Sequence, residues 1–160
     1  MEPADFEAWG RAVIERAAEL ILAEIPEEQR PEPGKSARRI LGGRGYISRH
    51  LHFLRPDQPA PRAIWLYAVP SGHGYDFAPA HDRVGAGLLH DAKTELSPNR
   101  WASGMLRSGA FTWKIHLDAR HEGYRLALKV DPETDAPESV GADLASQVLH
   151  SLARAGLLIA

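Results

Sequence analysis

Apolar residues return at helical spacing over residues 4–25. Phe6, Val13, Ala17 and Leu20 recur on one side, flanked by Trp9, Ile14, Ile21 and Ile25. Acids crowd the first turns, where the helix dipole favours them, and Pro26 stops the pattern. PEEQRPEPG (26–34) is too polar for a core and reads as a connector. Ser36 then caps an expected short helix, SARRIL, ended by Gly42-Gly43.

From Gly45 the period changes to two. Ile47, Leu51 and Phe53 alternate with Tyr46, Ser48, His50 and His52, and Arg49 interrupts the apolar side. RAIWLYAVP (62–70) is apolar on both faces, the mark of a central strand. Val84, Leu88 and Ala92 lie four apart and predict a weak helix over 81–96, and Ser97-Pro98 starts another through Leu106.

The clearest unit is a hairpin at 110–131. Phe111, Trp113, Ile115 and Leu117 alternate with polar residues, and Tyr124, Leu126, Leu128 and Val130 do the same after a DARHEG turn. DPETDAPES is a second connector. A last amphipathic helix over 139–155 carries Val140, Leu144, Val148 and Leu152, and LLIA is read as a short closing strand. The order α-β-β-α-β-β-α has hairpins and no long crossovers. It predicts an α+β fold, a mostly antiparallel sheet of four to five strands packed with N- and C-terminal helices, in one domain over 1–160.

Composition narrows the chemistry. Hydrophobic residues at 44% and charged residues at 25% are values of a globular protein. With no cysteine, disulfides, thiolate metal sites and a cysteine nucleophile are excluded. The apolar runs fall short of the ~20 residues that span a bilayer, and the start, MEPADFE, lacks a signal-type apolar stretch. A cytoplasmic protein without a membrane partner is therefore expected.

Charge is unevenly spread. Residues 1–34 hold nine acids and three bases, net −6, whereas residues 35–62 hold seven bases and Asp57 alone, net +6. A basic segment of this kind suits an acidic partner, nucleic acid or protein, with Arg38, Arg39, Arg44 and Arg49 as the contact residues. The competing account is that the acidic helix lies beside the segment and neutralises it. Gly42-Gly43-Arg44-Gly45 could bring backbone N–H groups to an anion, or could simply cap a helix and turn into the strand.

Histidines supply the alternative. His50 and His52 fall on one strand face, since positions i and i+2 point the same way, and His116 and Asp118 form a similar pair on the hairpin. If the two strands were neighbours, these four residues could hold a divalent metal for a small phosphodiesterase or nuclease. Otherwise no cofactor is expected. The positions depart from the paired His-x-Thr/Ser motifs of two-histidine phosphoesterases, because His52 and Asp118 stand where hydroxyls would be needed. PEPGKS lacks the first glycine of a phosphate-binding loop: Gln29 occupies its place. The leading expectation is a non-enzymatic binding or accessory protein; the oligomeric state is left open.

Overall fold

The computed structural model describes residues 2–41, 44–53, 63–71, 82–91, 112–117 and 121–154. Among the described residues, two helices and a sheet make an α+β fold. Helix α1 spans Pro3–Glu24, and a single 3-10 turn, Glu27–Gln29, follows it. The strands are β1 Ala37–Leu41, β2 Arg44–His52, β3 Ala63–Val69, β4 Arg83–Asp91, β5 Thr112–Leu117 and β6 His121–Lys129. Helix α2 spans Pro137–Arg154. The six strands form one sheet in the order β1-β2-β3-β4-β6-β5, and every neighbouring pair is antiparallel.

Helix α1 forms as its pattern predicts. Pro3 sits in the first turn, where its missing N–H costs nothing, and Asp5 faces the positive end of the helix dipole. Pro26 drives Ile25 into extended backbone, ψ 130°, which ends the helix. Phe6, Trp9, Val13, Ile14, Ala17, Ala18, Ile21 and Ile25 are all buried against Val140, Leu144, Val148 and Leu152 of α2 and against Ile47, Leu51, Ile64, Leu66, Ala68, Val84 and Ala86 of the sheet. The Trp9 indole N–H donates to the Asp135 carbonyl at 2.9 Å, pinning α1 to the turn before α2.

Two glycines allow the close approach of these layers. A Cβ on Gly10 would stand 2.7 Å from the Ala68 Cβ, and one on Gly141 would stand 2.8 Å from both the Val13 carbonyl and the Arg16 Cβ. The first sets the helix-to-sheet distance and the second the helix-to-helix distance.

Two expected helices are strands. SARRIL lies at β1, where Ala37 pairs with Ser48 and Leu41 with Arg44. A six-residue helix is marginal in water, whereas pairing with β2 satisfies the same backbone groups within the sheet. The stretch read as a weak helix over 81–96 contains β4, paired with both β3 and β6. Its apolar residues lie four apart, an even spacing that fits one face of a strand as well as a helix. Gly85 and Gly87 decide against the helix, each costing about 1 kcal/mol there relative to Ala. The expected hairpin is present: β5 pairs with β6 through Trp113 and Leu126 and through Ile115 and Tyr124. The helix expected from Ser97 and the closing LLIA strand lie outside the described residues.

Candidate functional site

Both helices pack on one face of the sheet. Alternation puts Ile47, Arg49 and Leu51 of β2 and Ile64, Leu66 and Ala68 of β3 on that face. The opposite set, Tyr46, Ser48, His50 and His52 with Trp65, Tyr67 and Val69, forms a second face with its own buried cluster of Trp65, Tyr67 and Val69. Strand β3 is buried along its whole length, as a central strand must be.

The four arginines expected as contact residues, Arg38, Arg39, Arg44 and Arg49, occupy positions on both faces. Arg38, on the helix face, donates its Nε to both carboxylate oxygens of Glu7 at 2.9 Å. Arg49 donates to Glu15 at 2.7 Å and to the Pro33 carbonyl at 2.9 Å, tying the connector and α1 to β2, and its side chain is only 12% exposed. Helix α1 therefore neutralises these two. Arg39 pairs across the ladder with Tyr46 on the second face, is exposed, and makes no ion pair or hydrogen bond with the described residues. Arg44 occupies the same face at the start of β2. A single surface through all four is thus not formed, because adjacent strand residues point to opposite sides. In the glycine-rich run, a Cβ on Gly45 would meet the Arg38 guanidinium at 2.8 Å and the Glu7 carboxylate, both side-chain ends that can shift.

His50 and His52 do share a face. Their rings lie 5.7 Å apart with 16° between planes, and His50 stacks on Trp65 at 6.0 Å and 8°. Trp65 continues to Tyr67 at 4.8 Å. Four rings thus run in sequence from Tyr67 and Trp65, both buried, through half-buried His50 to exposed His52. Desolvation by burial holds His50 below its ordinary pKa of 6.5, and the neighbouring His52 and Arg39 lower it further.

The hairpin residues do not join this pair. The register carries a single row from His52 through Ala63, Leu89 and Gly123 to His116, so His116 is on the same face but three strands intervene. Four strand spacings amount to roughly 19 Å along the sheet. Asp118 lies outside the described residues. Among the described residues no three His, Asp or Glu side chains are grouped to hold a metal ion, and the positive charge of Arg39 beside the pair disfavours a cation there.

What the sequence pattern did not reveal is the rest of the second face. Arg83 pairs with Lys129, and the row of His50, Trp65 and Gly87 continues through Arg125 to Lys114. Arg39, Arg44, Arg83, Lys114, Arg125 and Lys129 all occupy second-face positions of the strands, against one acid, Asp91. These residues are scattered along the chain, so only strand order could assemble them. The signal available in the sequence was the odd-numbered series in HEGYRLALK, where His121, Arg125 and Lys129 alternate with apolar positions. No protein-family model, curated protein or solved structure matches this chain. Among the described residues no helix is long and apolar enough to cross a membrane.

Protonation of His50 should be visible as a stability change. The unfolded chain takes up a proton near pH 6.5, whereas His50 in the fold resists it. Folding stability is therefore fully present above that value and declines as pH falls toward the lowered folded pKa. Denaturant titrations between about pH 7 and 5 should show a shallower decline for His50→Phe than for the parent chain. Parallel curves would show that His50 does not carry this effect.

Proposed function

We propose that this chain is a non-enzymatic binding protein that takes an acidic partner, nucleic acid, on the second face of its sheet. The observation that carries the reading is the set of cationic register positions on that face, on β1, β2, β4, β5 and β6, of which Arg39 and Lys129 are exposed. Such a spread matches a phosphate backbone, which presents repeated charges over a length no single ion pair would need. The reading keeps Arg39 and Arg44 from the basic segment. It gives Arg38 and Arg49 a structural role, since their charges are already met by Glu7 and Glu15.

Salt dependence provides the test. Oligonucleotide affinity should fall linearly with the logarithm of salt concentration. Arg39→Gln and Lys129→Gln should each weaken binding across sequences and reduce the slope by about one unit. Both residues are exposed, so folding should change by no more than about 1 kcal/mol. Arg38→Gln should leave the slope unchanged. Fluorescence anisotropy over a salt series would read these outcomes. The reading is lost if no oligonucleotide binds at about 0.15 M salt, or if Arg38→Gln and Arg39→Gln weaken binding alike. Binding of an acidic polypeptide in place of DNA and RNA would make the partner a protein.

A further inference from the structure

We infer that the nucleic acid is single-stranded and that one of its bases stacks on the exposed ring of His52. This rests on the polyanion reading above and adds what the charges alone do not supply, a seat for a base.

The geometry comes from the run of rings on the second face. Tyr67 is fully buried and Trp65 is 8% exposed, so the inner end of the run is fixed within the protein. From Trp65 the planes stay close to parallel: 8° between Trp65 and His50, and 16° between His50 and His52. Centroid steps of 6.0 and 5.7 Å fall in the range of offset aromatic pairs. Among the described residues the run ends at an exposed imidazole, stacked on the ring behind it. A fifth planar group placed on His52 would continue the series, and a nucleobase presents such a face whatever its identity.

Two further features complete the seat. The hydrogen bond from the Glu32 N–H to the His52 carbonyl, at 2.8 Å, holds the strand end that bears the ring, so the seat is preformed. Arg39 stands on the same face near enough to oppose a proton on His50, and it has no carboxylate partner among the described residues. With a base on His52, Arg39, which pairs with Tyr46 nearer the start of β2, is placed for a phosphate further along the bound nucleic acid. In a duplex the base faces are already covered by their neighbours, so a seat of this kind serves an unpaired strand.

The test compares two polyanions on the intact chain. One is an oligothymidylate of about 12 nucleotides, within the range of known single-strand sites. The other is inorganic polyphosphate of similar charge, which has no bases. His52→Ala should weaken oligothymidylate binding about 5- to 10-fold and leave polyphosphate binding unchanged, while His52→Phe restores the oligothymidylate affinity. Circular dichroism of each variant would confirm that the fold is retained. Equal weakening of both ligands by His52→Ala would reduce His52 to a charge and overturn the stacking seat, with the polyanion reading intact. No change for either ligand overturns the seat as well. Failure of the parent chain to bind either polyanion would instead remove the reading on which the seat rests.

Discussion

Leu66→Ala is expected to destabilise the protein by about 2–5 kcal/mol. Leu66 is fully buried at the centre of β3, on the face that meets both helices, alongside Ile64 and Ala68. Truncation removes apolar contact and leaves a cavity that neither the flanking strands nor α1 can close without moving. That loss is a large share of the ~5–15 kcal/mol by which domains of this kind are stable. Ile40→Ala makes the internal control. Ile40 is 65% exposed on edge strand β1, so shortening it should cost less than about 0.5 kcal/mol. Chemical denaturation of the two variants side by side would measure the difference. Equal losses would mean that the buried face of the sheet has been misassigned.

Gly10→Ala carries the second large effect, and its sign is the informative part. In an ordinary exposed helix this change gains up to about 1 kcal/mol, because glycine is a poor helix former. Here the added methyl would stand 2.7 Å from the Ala68 Cβ, an atom fixed to a central strand. Helix and sheet must separate, and the expected result is a loss of about 1–3 kcal/mol. The double variant Gly10→Ala with Ala68→Gly removes the obstructing methyl and should recover most of that loss. A double-mutant cycle would read the coupling. Additive effects would show that the contact between α1 and β3 does not limit their spacing.

Gly10 also marks the boundary between what pattern can and cannot reveal. In the sequence it is simply a weak point in a helical stretch. Its reason lies 58 residues away at Ala68, on a strand that the helix crosses. The same is true of Arg49, which interrupts an apolar strand face without local explanation. Its meaning comes from Glu15 of α1 and the Pro33 carbonyl, which together satisfy it where it is largely shielded.

Much of the fold was nevertheless legible in the chain alone. The two terminal helices and the β5–β6 hairpin rest on strong local periodicity, and the central strand at 63–69 on a short continuous apolar run. The α+β class followed from their order. Strands β1 and β4 escaped because their signals were ambiguous: SARRIL is short enough for either structure, and apolar residues four apart satisfy periods of both 2 and 3.6.

The candidate site divides in the same way. Sequence alone determined that His50 and His52 share a strand face, because their spacing of two fixes it. It also determined that residues 35–62 are basic, since that is a matter of count. Only the tertiary structure decided that the acidic helix takes up Arg38 and Arg49 while Arg39 stays on the far face, and that His116 stands three strands from His52. It alone brought Arg83, Arg125 and Lys129 to the histidines' face. Local pattern fixes which side of a strand a residue occupies. Strand order, set by the burial of apolar faces between elements remote in sequence, fixes which residues meet.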